Sequence, residues 1–244
     1  GATGQERSGP SQMPQPILFQ RLEDGARAVE LYAAAVPQPR VETTGGRGET
    51  MVRVGMPPTF SPTVHWDVLP DGGLAVAHDA EYAVRLTDVE GKVRAVVRRP
   101  IRPRAVTERD RRDAREQRRA QLEEGTGVVQ VRVENGRRSV GAGAPPPAEM
   151  IERTLQEMEF AEVIPVIERL AVDAEGQLWI QRAGPRVGQP GPIDLVAADG
   201  SYLGTARAQP VPRAFGPEGL AAYIETDDLG VERVIVRRLT IRKP

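Results

Sequence analysis

At 244 residues the chain is long enough for one large all-β domain or two small ones, so a core can be buried without disulfide or metal staples. Cysteine is absent, which excludes disulfides, thiolate metal sites and cysteine nucleophiles. The 33 basic and 34 acidic residues leave a net charge of -1, so no global field steers the chain to nucleic acid or to a bilayer. The basic residues are nearly all arginine, with lysine at Lys92 and Lys243, and no run approaches the roughly 18 apolar residues of a membrane span.

The first residues, Gly1 to Pro10, lack an initiating Met, a basic n-region and an apolar h-region, and read as a processed end from which a signal peptide has already been removed. Residues 1–16 are rich in Gly, Pro, Gln and Ser, the composition of an extended tail. From Ile17 to Val36 two readings stay open. Leu18, Leu22, Ala26, Val29 and Ala33 suit one helical face, whereas Asp24-Gly25 suits a hairpin turn. Arg40 to Val54 predicts a hairpin around Thr44-Gly45-Gly46-Arg47-Gly48.

A repeat then sets the architecture. Leu170 to Thr205 reads as two tandem hairpins, with alternating apolar runs meeting at Glu175-Gly176 and Asp199-Gly200. Val64 to Arg99 has the same design, Val68-Leu-Pro-Asp-Gly-Gly-Leu-Ala-Val aligning with Val172-Asp-Ala-Glu-Gly-Gln-Leu-Trp-Ile. A third copy begins at Pro217-Glu-Gly-Leu-Ala-Ala-Tyr and continues through the strand-like run Val231 to Ile241. Gly176 and Gly219 lie 43 residues apart, inside the range of propeller blades. Gly72 and Gly176 lie 104 apart, so an insertion separates the first two copies. The fold class expected is therefore mainly β, with three to four antiparallel propeller-like blades, an incomplete propeller, and a helical insertion. The segments are a tail over 1–16, hairpins and the first clear blade over 17–100, the insertion over 101–163 and two further blade-like units over 164–244.

Within the insertion, Val106 to Glu124 predicts a helix with Thr107 as N-cap and Gly125 as stop. It is polar almost all round, so it relies on pairs such as Glu108 with Arg112 or on a partner. A hairpin over Val128 to Val140, a Gly/Ala/Pro linker from Gly141 and an amphipathic helix over Ala148 to Glu162, with Ile151, Leu155 and Met158 on its apolar face, follow.

The ordered set of these motifs resembles the C-terminal half of bacterial six-bladed β-propeller proteins of the NHL-like type, over about residues 57–241. The matching positions are Pro62 and Trp66 before Pro70-Asp71-Gly72, Tyr82 before the turn at Asp88, and Arg98-Arg99-Pro100 before the Arg/Glu-rich helix. They continue with Pro165, the Leu170 to Ile180 run, Asp194, Gly200-Ser-Tyr-Leu-Gly, Phe215-Gly-Pro-Glu-Gly-Leu and the stretch from Asp227 to Leu239. The resemblance implies a secreted or periplasmic protein and informs fold more than chemistry. The N-terminal blades of that family are not seen, so ring closure is not implied.

Candidate chemistry is sparse. His65 and His78 are the histidines, and with Asp67 or Asp79 they offer a metal or acid-base pair, although a third ligand is not evident. The acidic turns Asp88-Val-Glu-Gly and Asp173-Ala-Glu-Gly have spaced carboxylates, yet lack the further ligands of a calcium loop. Nucleophile elbows and phosphate loops are not found. Arg102, Arg104, Arg109, Arg111, Arg112, Arg115, Arg118 and Arg119 stand against four acids, a locally positive stretch suited to an acidic protein face or anionic lipid headgroups. It has no aromatics to stack on bases, which argues against nucleic acid.

These features point to a non-catalytic interaction protein without cofactors, an extracytoplasmic, membrane-extrinsic subunit holding together a larger, membrane-bound assembly such as an energy-transducing one. The expected contacts are the arginine stretch and the Pro-rich arm at Pro14 and Pro16. The alternatives are a propeller fragment binding a small ligand or carbohydrate through Trp66 or Trp179, and a hydrolase or lyase using loop residues such as His65 or His78.

Overall fold

A computed structural model of the chain describes residues 12–20, 25, 27–37, 40–46, 49–55, 57–125, 129–134, 137–142, 145–226 and 231–239. The protein is mainly β, 44% strand and 16% helix, with several antiparallel sheets. No closed propeller is detected among the described residues.

In chain order, β1 (Gln12–Phe19) pairs with β2 (Val29–Pro37), and β3 (Arg40–Gly46) with β4 (Glu49–Gly55). A four-stranded meander follows: β5 (His65–Val68), β6 (Leu74–Ala77), β7 (Ala83–Thr87) and β8 (Val93–Arg98). Then come β9 (Arg104–Ala105), α1 (Glu108–Glu123), the hairpin of β10 (Val129–Glu134) and β11 (Arg137–Ala142), α2 (Ala148–Gln156) and β12 (Val163–Ile164), which pairs with β9. The second four-stranded meander is β13 (Ile167–Val172), β14 (Leu178–Ala183), β15 (Pro190–Val196) and β16 (Tyr202–Ala206). The last sheet holds β17 (Ala214–Phe215), β18 (Leu220–Thr226) and β19 (Glu232–Arg238).

The period-2 pattern decides how the sheets stack, because alternate residues on each strand face opposite layers. One face of the first meander, with Leu74 and Val76, packs on Ile17 and Leu31 of the β1–β2 hairpin. Its other face, with Ala75, Ala77, Val84 and Leu86, meets Leu170, Val172, Leu178, Ile180 and Val196 of the second meander. The reverse face of that meander, through Ala171, Trp179, Ile193 and Leu195, meets Val211, Phe215 and Leu239 of the last sheet. Four layers therefore lie in chain order, and each fully buried Leu or Ile at these junctions contributes about 1.5–3 kcal/mol.

The repeat is real in register. Val68↔Leu74 and Asp67↔Ala75 in the first meander correspond to Val172↔Leu178 and Ala171↔Trp179 in the second. Its acidic turns are closed by backbone donors. The Asp173 carboxylate accepts from the Glu175 and Gln177 N–H groups at 3.1 and 2.8 Å, and Asp88 accepts from those of Glu90 and Lys92 at 3.1 and 2.8 Å.

Several expectations are adjusted. The open choice over Ile17 to Val36 resolves as a hairpin, and β1 begins at Gln12, inside the segment read as tail. The tips at residues 47–48 and 135–136, and residues 1–11, lie outside the described residues. The second helix stops at Gln156 rather than Glu162, because the following chain is drawn into long-range pairing: Thr59 donates to Glu159 O at 2.8 Å, Ala161 donates to Thr59 O at 2.9 Å, and β12 pairs with β9.

Candidate functional site

The arginine stretch is only partly free. Thr107 caps α1, as the sequence predicts, and does so in a reciprocal box with Asp110, while the Gly125 N–H reaches Leu122 O at 3.1 Å. The pair that forms beside the cap is Glu108 with Arg111, at 3.4 Å, rather than with Arg112. Contrary to the all-polar reading, α1 buries Asp110, Ala114 and Leu122, and Leu122 packs with Ile151 and Leu155 of α2. Arg104 makes a bidentate pair with Asp110, both bonds 2.7 Å, so the carboxyl of Asp110 is held well below the usual carboxylate range, by Arg104 first and by Thr107 as well. Arg111 and Arg115 lie over the Phe160 ring, 5.6 and 5.0 Å from its centroid, and Arg115 also donates to Leu155 O. Arg118 donates to Gln121, and Arg119 pairs with Glu152 of α2. Arg102, Arg109 and Arg112 remain exposed without a counter-charge among the described residues.

The proline pair lies on an outward face. Pro14↔Ala35 and Pro16↔Ala33 pair with all four residues exposed, while Ile17, Ala34 and Val36 point inward. The opposite end of the stack also exposes apolar side chains on a sheet face. Ala221 and Tyr223 of β18 are buried toward the second meander, and the other face presents Ile224 at 47%, Val234 at 69% and Val236 at 60% exposure. Ile224↔Val234 and Ala222↔Val236 are cross-strand pairs, so these side chains form one continuous strip.

The histidines do not share a site. His78 Nε2 lies 2.9 Å from the Tyr32 hydroxyl, its Nδ1 lies 3.4 Å from Asp79, and Asp79 pairs with Arg85 at 2.7 Å. Burial pushes the pKa of His78 down, Asp79 opposing and Arg85 adding to the effect. His65 lies 3.1 Å from the Thr63 hydroxyl, and burial, then Arg169, pushes its pKa down too. Asp67 is engaged elsewhere, accepting from the Val172 N–H at 2.8 Å and so tying β5 to β13.

Two cavities open beside β13. The larger, about 300 Å³, is lined by Phe60, His65, Asp79, Arg104, Glu168 and Arg186 among others, and the second, about 260 Å³, by Glu168, Arg169, Gln181, Arg213 and Tyr223 among others. Glu168 and Gly188 line both. Glu168 is placed there by an irregularity in the ladder: Ile167↔Arg182 is followed by Arg169↔Gln181, so Glu168 is the extra residue of a bulge that re-aims its side chain. Glu168 keeps contact with solvent, yet loss of hydration along the walls pushes its carboxyl up, partly offset by Arg169 and the Gly184 N–H. Phe60 sits at φ 70, a left-handed backbone that a bulky residue adopts only under constraint, here from the pairing of Thr59 with the segment around Phe160. Sequence reasoning missed Glu168, Arg213 and Phe60. The signal present was the Glu168-Arg169 pair interrupting the apolar run from Val163 to Val172. Among the described residues no group of three or more His, Asp or Glu is placed to hold a metal, and no helix is long and apolar enough to cross a membrane. Comparison of the chain with protein families, curated proteins and solved structures finds no match.

Proposed function

We propose that the chain is a non-catalytic interaction module made of propeller-like blades, three clear and one partial, in the manner of the C-terminal half of an NHL-like protein. Its role is to help hold together a larger, membrane-attached assembly from the extracytoplasmic side. The observation that carries this reading is the uncovered strip of Ile224, Val234 and Val236 on the last sheet. Blades bury their faces only against neighbours, and a stack that ends on a β-branched face calls for a further layer. A sheet of another subunit supplies it. The strip runs between Glu232 and Arg238 on the same face, an apolar centre with polar ends, which is the anatomy of a stable protein interface. At the other end Pro14, Pro16, Ala33 and Ala35 offer a second flat face, and Arg102, Arg109 and Arg112 add positive charge toward an acidic partner surface.

The test places a photo-crosslinking amino acid at Val234 or, as a control, at Val89, which is also exposed but lies on the turn between β7 and β8. In cells producing the chain, a discrete adduct at Val234 and none at Val89 is expected, and mass spectrometry of the adduct names the subunit. A chain that purifies gently as a monomer, with no adduct specific to Val234, overturns the proposal.

A further inference from the structure

Apart from Glu168, the acids and arginines that line the larger cavity have a counter-charge of their own. Arg104 is paired with Asp110, Arg186 with Asp113 at 3.3 Å, and Asp79 with Arg85 at 2.7 Å. Glu168 has no ion pair among the described residues, and His65 adds a ring nitrogen next to Thr63 rather than a charge. The neighbouring cavity is the opposite case, since Arg169 and Arg213 line it without an ion-paired carboxylate among the described residues. A single anion there would meet Glu168 as well, and a single cation at Glu168 would meet the two arginines. A ligand bearing both charges satisfies the pair of cavities together.

We propose that the two adjacent cavities, which share Glu168 and Gly188 in their walls, bind a small zwitterion of the amino-acid or short-peptide class, its ammonium at Glu168 and its carboxylate at Arg169 and Arg213. The apolar walls of the larger cavity, Phe60, Ile164, Pro165 and Val187, accept a hydrophobic side chain next to the ammonium. Volumes of about 300 and 260 Å³ accommodate an amino acid or a dipeptide and exclude long oligopeptides lying wholly inside. The bulge at Glu168, the constrained backbone of Phe60 and the position of Gly188 between the cavities fix this geometry before any ligand arrives. The site meets the uncovered strip at Ile224, which lines the second cavity, but its charged contacts, Glu168, Arg169 and Arg213, lie outside the strip, so the titration and the crosslinking experiment can fail separately.

Calorimetric titration of the full chain with the dipeptide phenylalanyl-glycine tests it. Binding at or below about 1 mM is expected. Acetylating the peptide's amine and amidating its carboxylate are each expected to weaken binding at least about tenfold, because each removes one charge-assisted contact. Glu168→Gln is expected to weaken the parent peptide and leave the acetylated one unchanged, and Arg213→Gln to do the same for the amidated one. The modified peptides probe the same contacts on the unaltered protein, so the result does not depend on the variants folding. Absence of binding at millimolar peptide, or equal binding of the parent and both modified peptides, overturns the proposal.

Discussion

Asp194 links the two central layers, pairing with Arg99 beyond the first meander and with Arg182 of the second. It is fully buried, 0% exposed, on the face of β15 that meets the first meander. Arg99, arriving from the end of that meander, lies 2.7 Å from its carboxylate, and Arg182 of β14 lies 3.4 Å away. Thr205 donates to it at 2.5 Å, and the Tyr202 hydroxyl is 2.5 Å from Thr205 while its ring stacks under Arg99 at 4.2 Å. Burial first, and the facing Asp194 carboxylate second, push the Tyr82 phenol well above the usual tyrosine range, so it stays protonated at physiological pH. Neutralising one member of such a cluster leaves the other charges uncompensated and costs about 3–5 kcal/mol when the site is dry. Arg99 and Arg182 keep 28% and 25% of their side-chain surface in solvent, so Asp194→Asn is expected at the low end of that range, about 3 kcal/mol by urea denaturation. An unchanged midpoint would show that the carboxylate carries no net stability. Asp110 gives a second residue-scale expectation with a pH signature. Its folded pKa is depressed, so its stabilisation is complete above the unfolded value of about 4 and is lost as pH falls through the folded one. Asp110→Asn is therefore expected to lower stability by about 1–2 kcal/mol at pH 7, with the gap to wild type closing as pH is lowered from about 5 toward 2. A gap that persists in acid would assign the effect to packing instead.

At the scale of elements, the first hairpin is held on the stack by backbone contact as well as by apolar side chains. Gly91, in the turn between β7 and β8, has φ 83, and a Cβ there would come within 1.8 Å of the Leu31 carbonyl oxygen of β2. Gly91→Ala is therefore expected to push the β1–β2 hairpin off the first meander, raising amide exchange over residues 29–37 while the second meander keeps its protection. Unchanged exchange in β2 would refute the close approach. Gly91 was legible as a turn glycine from Asp88-Val-Glu-Gly, but its neighbour was not, because Leu31 lies 60 residues earlier and no local pattern records that approach. The same divide runs through the other elements. The meanders were readable because alternation and an acidic turn specify strand, register and face together. The end of α2 was not, since Phe160 to Ile164 keeps helix-compatible residues and is extended only through its partners Thr59, Arg104 and Ala105. The sequence offers the arginines of α1 only intrahelical pairs or an outside partner, because the Phe160 ring and Glu152 that engage Arg111, Arg115 and Arg119 come from beyond the linker. The cavities were invisible for a related reason: their walls come from the Phe60 loop, β13, the loop carrying Arg186 to Gly188 and the approach to β18, which only the stacking of layers brings together.

For the whole molecule, the stack of four layers behaves as a short repeat array, in which each interface stabilises only its two neighbours. The inner interfaces are closed by large buried residues, among them Trp179, 3% exposed and 5.2 Å from the Phe215 ring, whereas Trp66 on β5 is 48% exposed. Among the described residues Val234 and Val236 of the outer strip are 69% and 60% exposed and belong to none of the buried clusters, so acidic substitutions there are expected to remove little internal packing. Val234→Asp combined with Val236→Asp is therefore expected to leave chemical denaturation of the isolated chain within about 0.5 kcal/mol of wild type. In the same variant, co-sedimentation with the proposed assembly should be lost, because two buried, unpaired carboxylates are not tolerated at the centre of an interface. Trp179 separates the two outcomes: in a Trp66→Phe background its emission reports the junction between the second meander and the last sheet. If the double variant shifts that emission to the red, the strip supports the fold from within. If emission is unchanged and co-sedimentation is retained, the strip is ordinary surface and the partner docks elsewhere. Unchanged emission with lost co-sedimentation is the result expected of a stack whose final layer belongs to another subunit.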